Sequence, residues 1–227
     1  MKRMPERDPA SSCPIVCAAR RRPVRFLLVV LVVVLVAVFW KDIERLPRRF
    51  IPRNLGVVEE GKLYRSGQIH RSLLPEVLRD KGIGSVVCLT YDPGQADFDA
   101  EQRIVRRSGG DYLLLPGLDG EGIGDPLIYA VALQRVKEHL EQGKTVLVHC
   151  SAGSERTGAA VYLWRTLVRG YSPEDAWREV LSYGHDDRDN SKLRPYLNDN
   201  LPTIASMLVE RGVIGRVPDP LPLVPAP

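Results

Sequence analysis

The chain has two regimes of hydrophobic patterning. From Phe26 to Trp40 it is apolar without a break (FLLVVLVVVLVAVFW), with arginines before the run and Lys41 after it. Beyond Pro52 apolar residues come in short runs separated by longer amphipathic stretches. Runs at 57–58, 62–65, 85–90, 112–115 and 145–148 predict strands, the first two forming a hairpin across Glu59-Glu60-Gly61. Helical spacing predicts helices over 75–81, 97–107, 127–141, 157–169 and 173–182, and a broken one over 193–211. Strands alternating with helices imply an α/β fold, a central and mostly parallel sheet flanked by helices. In such sheets a ligand loop lies at the carboxyl end of a strand.

The apolar run predicts a membrane anchor. At ~1.5 Å per residue it covers about 22 Å of a ~30 Å hydrocarbon layer, short for a spanning helix. Val24 with a snorkelling Arg25, and Trp40 with Lys41 at the opposite interface, extend its reach. A secretory signal peptide has an apolar core of this length, but no small-x-small pair follows before Lys41, which favours an uncleaved anchor. The expected organisation is a basic segment 1–25, a transmembrane anchor 26–40 in contact with lipid, a basic juxtamembrane linker 41–53, a catalytic domain 54–215 and a Pro-rich disordered tail 216–227. Basic residues at 2, 3, 7, 20, 21, 22 and 25 outnumber those at 41, 45, 48, 49 and 53. The positive-inside rule then makes this a single-pass membrane protein with its folded domain outside the cytoplasm. The stretch Arg45 to Arg53, laid on an anionic leaflet, would instead keep that domain inside. The net charge of +4 does not decide between them.

The chemistry concentrates in residues 149–158, His-Cys-Ser-Ala-Gly-Ser-Glu-Arg-Thr-Gly, between a predicted strand and a predicted helix. At a helix N-terminus unpaired amides and the macrodipole favour an anion and a cysteine thiolate. If the anion is a phosphate ester, Cys150 attacks phosphorus and Arg156 offers a planar fork to two phosphate oxygens. The amides of Ser151, Ala152, Gly153, Ser154, Glu155 and Arg156 complete the cradle, with Gly153 supplying φ > 0 where the loop turns inward. Thr157 can donate to the sulfur and His149 can hold the loop backbone, both stabilising the thiolate. The decapeptide resembles the His-Cys-x5-Arg-Ser/Thr-Gly signature of the cysteine-dependent protein tyrosine and dual-specificity phosphatases. Residues 58–68, VEEGKLYRSGQ, also resemble the opening strands of bacterial and fungal members of that superfamily.

The resemblance implies a dual-specificity-phosphatase-like fold and a general acid on a separate loop upstream of the cysteine. Asp119 fits, in a segment loosened by Gly117, Gly120, Gly122 and Gly124; Asp125 reads as a helix cap before Pro126, and Glu121 is a further alternative. Related phosphatases place a cysteine near Cys88 that captures the oxidised nucleophile, so Cys88 is either a redox partner of Cys150 or a buried structural thiol. The loop carries no lysine, and Glu155 would repel additional phosphates, which points to phosphotyrosine and phosphoserine/threonine in proteins or peptides. Phosphoinositides or inositol phosphates are the enzymatic alternative, and a membrane-tethered phosphate-binding module the non-enzymatic one. Four scattered cysteines do not make a disulfide scaffold. Without zinc spacing or a long basic stripe nothing reads as nucleic-acid recognition, and Arg103, Arg106 and Arg107 read as a solvated helix face. Thiolate chemistry calls for neither metal nor cofactor.

Overall fold

The computed structural model describes residues 26, 28–31, 33, 49–90 and 96–226, in two units, Met1–Leu46 and Pro47–Pro227. In the first unit Phe26, Leu28 to Leu31 and Val33 are helical and exposed, and the rest of the apolar run lies outside the described residues. Among the described residues no helix is long and apolar enough to cross a membrane. This corrects the expected transmembrane helix, its contact with lipid and the single-pass localisation. The physical reason is length: even if wholly helical, the apolar run would reach only about 22 Å against a ~30 Å layer.

In the second unit the elements run β1 (Gly56–Glu59), β2 (Leu63–Ser66), α1 (Leu74–Asp80), β3 (Ile83–Thr90), α2 (Ala96–Arg107), β4 (Asp111–Pro116), α3 (Leu127–Glu141), β5 (Thr145–His149), α4 (Glu155–Leu163), α5 (Pro173–Ser182) and α6 (Leu193–Glu210). The five strands order β1-β2-β5-β3-β4. Only the β1–β2 pairing is antiparallel, as its short turn requires. β3 and β5 lie inside the sheet and are covered on both faces, which is why their apolar runs are nearly continuous. Alternation sorts their side chains: Val87, Leu89, Val146, Val148 and Cys150 face one core, while Val86 and Leu147 face the other.

Three helices show how local sequence and packing set where an element starts and whether it continues. Ser172 caps α5, its hydroxyl accepting from Asp175 N–H at 3.1 Å, with Pro173 in the first turn. α4 begins at Glu155, two residues before the expected start, and passes into a π-helical turn, Trp164–Val168. That turn lets Trp164 and Arg169 both reach Glu59 on β1, at 2.5 and 2.7 Å. α6 is continuous through Pro202 rather than broken there; the proline removes one ladder bond, and packing of Leu197, Leu201 and Ile204 in the core holds the helix across it.

The Pro-rich tail, expected to be disordered, is docked. Val224 is buried, its N–H donates to Asn198 Oδ1 at 2.7 Å and its carbonyl accepts from Asn198 Nδ2 at 3.2 Å. Tyr162 donates to Pro222 O at 2.8 Å. Few backbone donors are available in a proline-rich segment, and here side chains of α4 and α6 supply the partners that regular structure does not.

Candidate active site

β5 delivers Cys150 and α4 delivers Arg156, so the loop 150–156 lies at the carboxyl end of a central strand and the amino end of a helix. Cys150 is buried, and its sulfur accepts the Gly153 N–H at 3.1 Å. An inward amide on the sulfur is what a cradle for a thiolate and an oxyanion requires. Arg156 donates through Nη1 to Leu89 O at 3.3 Å, while its buried Nε has no protein partner among the described residues and is a donor left for an oxyanion.

The inward amides follow from where the carbonyls go. Gln68 N–H donates to Ser151 O at 3.0 Å, Asn54 Nδ2 to Ala152 O at 3.0 Å, and Arg65 Nη2 to Gly153 O at 2.9 Å. Three consecutive carbonyls are thus tied outward by the segment that opens the domain, and the Gly153 N–H is turned toward the sulfur. The packing is close: a Cβ on Gly67 would lie 2.6 Å from Ala152 O, and one on Gly153, at φ 84°, would lie 2.4 Å from Gly67 N. Glycine is required at both. Arg65 is fully buried, stacked 3.8 Å from the Tyr183 ring centroid and 3.7 Å from Glu179. In the sequence the only signal for Arg65 is the YRSGQ segment, and nothing marks Asn54.

The loop that carries Asp119 packs against this cradle. Tyr129 donates to Gly122 O at 2.6 Å, and a Cβ on Gly122 would stand 3.5 Å from Arg156 N. The Tyr129 hydroxyl is pushed well above its ordinary pKa by burial first, then by Tyr196 and the charges of Cys150 and Asp119, with Arg156 opposing. Gly122, three residues after Asp119, thus stands beside the Arg156 backbone. Asp119 Oδ1 accepts the N–H groups of Glu121 and Ile123, both at 2.9 Å, which fixes the carboxylate; Oδ2 makes no hydrogen bond among the described residues. The alternatives are otherwise engaged. Asp125 Oδ1 accepts Leu127 N–H at 2.9 Å at the start of α3, and Glu121 pairs with Lys192 at 2.8 Å.

Three expected roles change. The Thr157 hydroxyl lies 3.5 Å from Ser66 O, a long contact to the bracing strand, and makes no bond to the sulfur. Glu155 is turned away from the solvent, its carboxylate on buried His185. Cys88 stands opposite His149 in the strand register, and alternation puts both side chains on the sheet face away from Cys150. The structure therefore brings Cys88 to His149 and Glu101, not to the nucleophile. Glu101, on the inner side of α2, lies 3.1 Å from His149 Nε2 and accepts from Tyr112 at 3.1 Å, whereas Arg103, Arg106 and Arg107 are exposed as expected. Burial opposes charge on His149, but Cys88 and Glu101 outweigh it and raise its pKa well above the ordinary value. His149 Nδ1 lies 3.3 Å from Cys150 O, so the ring is held directly behind the loop's first residue. Donor atoms of Cys88, Glu101 and His149 fall within 4.8 Å of one another, a set of zinc-ligand type whose use would displace the His149–Glu101 contact.

A family model described as "Tyrosine phosphatase family" matches residues 127–179, from α3 through β5 and the loop into α5. No curated protein matches the chain. Among solved structures it is similar to TpbA of P. aeruginosa, at 20% identity and TM-score 0.55, covering 70% of this chain and 91% of that one. It is similar also to the core catalytic domain of the PP-IP phosphatase SIW14 from S. cerevisiae, at 20% identity and TM-score 0.52, covering 68% and 92%. PTPMT1 matches at 17% identity and TM-score 0.54, covering 70% and 98%. At these identities the likeness is one of fold, a mostly parallel five-stranded sheet flanked by helices. The family match spans the loop 150–156 and the elements on either side of it, and the solved structures share the fold around it.

Proposed function

We propose that the chain is a phosphoric monoester hydrolase that works through a cysteinyl-phosphate intermediate on phosphotyrosine, and on phosphoserine and phosphothreonine, in proteins. The observation that carries this is the loop 150–156: a buried sulfur receiving an inward amide, three carbonyls tied outward, and an arginine donor left for an oxyanion. In the first step the Cys150 thiolate attacks phosphorus; a P–S bond forms, the P–O ester bond breaks, and Asp119 gives its proton to the leaving oxygen. In the second, the Asp119 carboxylate takes a proton from water, the hydroxide attacks phosphorus, and the P–S bond breaks to release inorganic phosphate and the thiolate. The amides and Arg156 hold the phosphoryl oxygens throughout, and His149 braces the backbone of Cys150.

The substrate preference rests on the loop's side chains. Ser151, Ala152 and Ser154 are neutral, no lysine lies among residues 150–156, and so the cradle offers charge for one phosphoryl group. TpbA has been solved with pTyr, SIW14 is a PP-IP phosphatase and PTPMT1 has been solved with PI(5)P, so the fold alone selects none of these ligands.

Hydrolysis of p-nitrophenyl phosphate across pH by the full chain tests the chemistry. Cys150→Ser is expected to abolish turnover, and Asp119→Asn to lower kcat by about a hundredfold or more with loss of one limb of the pH profile. Phosphate release from phosphopeptides and from phosphoinositides tests the substrate class, and a phosphoinositide hydrolysed a hundredfold faster would replace the protein substrate with a lipid one.

A further inference from the structure

A carboxylate inside a phosphate-binding loop is electrostatically misplaced, and the structure shows how this one is answered. Glu155 is the first residue of α4 and the neighbour of Arg156. Its Oε2 lies 2.5 Å from His185 Nδ1, and the His185 side chain is completely buried. The other ring nitrogen, Nε2, lies 3.2 Å from Asp187 Oδ1. Both nitrogens thus face carboxylates, and only the imidazolium donates from both; a neutral ring would point a lone pair at one of them. Asp187 is paired in turn with Arg194 of α6, whose guanidinium lies 4.8 Å from the Trp177 ring centroid. Trp177, from α5, meets the His185 ring edge-on at 5.1 Å. Exposed Asp186 completes the charged groups around the ring. Burial opposes the His185 charge, while the bonds to Glu155 and Asp187 raise its pKa.

Resting on the phosphatase reading above, we propose that His185 is a positioning residue that neutralises Glu155, so that the adjoining loop holds a dianionic phosphate. Glu155, His185, Asp187 and Arg194 form a chain of alternating charge that sums to zero. It begins at the loop and ends on α6. The repulsion that the sequence alone assigns to Glu155 is cancelled from behind. Remove the cation, and an unpaired carboxylate sits one residue from Arg156 in a place where water screens it little. Oxyanion affinity suffers first, and KM rises before kcat falls.

Tungstate, a dianion across the neutral and alkaline range, is the probe. Its affinity is measured by titration calorimetry on the full chain, with p-nitrophenyl phosphate kinetics alongside, for wild type, His185→Gln, Glu155→Gln and the double variant. His185→Gln is expected to weaken tungstate by about tenfold or more and to raise KM. In the Glu155→Gln background the same change should cost nothing further, because the charge it would expose is gone. Wild-type affinity is expected to fall as pH rises above neutrality, and that of the double variant to fall less. If His185→Gln binds as wild type does, or weakens binding equally in both backgrounds, His185 is a packing residue and the proposal is overturned. A wild-type chain that neither binds tungstate nor turns over substrate fails the phosphatase reading itself, a result distinct from either.

Discussion

The guanidinium of Arg65 is committed to one carbonyl, Gly153 O, and to Glu179, from a position with no exposure to solvent. Arg65→Met keeps an unbranched apolar stem but leaves that carbonyl buried without its donor. The expected cost is about 2 kcal/mol in urea denaturation, with KM raised more than kcat is lowered. Residues of this kind set the limit of what the sequence discloses. Cys150, Arg156 and the amides between them are legible because the whole constellation is local, a strand, a loop and a helix start in ten residues of chain. Arg65 and Asn54 meet the loop across sequence separations of 88 and 98 residues, and His185 meets Glu155 across 30, so no spacing pattern announces them. Thr157 and Cys88 failed in the other direction. Their types suit sulfur chemistry, and only the contact to Ser66 O for the hydroxyl and the strand register for the thiol show that they are directed elsewhere.

At the scale of elements, β-branched runs and capping residues specify nearly everything that the sheet needs. The internal strands are buried on both faces, so their patterning is continuous and easily seen, and Ser172-Pro173 marks the start of α5 without ambiguity. What escapes is tertiary stabilisation of locally poor sequence. Pro202 reads as a break, yet α6 passes through it, and the tail reads as disorder, yet it docks on α4 and α6. Local propensity argues against both, and burial outweighs it. The docking predicts that Val224, at 4% exposure, stabilises the domain. Val224→Ala should lower stability by about 1.5 kcal/mol at ~0.8 kcal/mol per buried methylene-sized group, read by the same denaturation assay.

For the whole molecule, the buried histidines tie stability to pH. His149 and His185 both have raised folded-state pKa values, each because its carboxylate and other acidic neighbours outweigh the burial that opposes its charge. A raised pKa means that the folded state holds a proton which the unfolded chain releases first. Their contribution is therefore complete below the unfolded value of ~6.5 and is lost as pH rises through the folded values. Glu59 and Asp187 act with the opposite sign, since their lowered pKa values, held down by basic partners against burial, give stability that is lost on acidification. Urea denaturation from acid to alkaline pH should show stability falling on both sides, and His185→Gln should flatten the alkaline fall.

The outward tethering of Ser151, Ala152 and Gly153 has one more consequence. Because the loop is held in shape through its carbonyls, by donors from outside it, the side chains of Ser151 and Ala152 carry none of that burden. In the proposed reaction, the scaffold would separate the machinery of bond breaking from the surface that meets the substrate. Those two positions are natural sites for a combinatorial library: selectivity can drift there, by selection or by design, while the reaction beneath it stays the same.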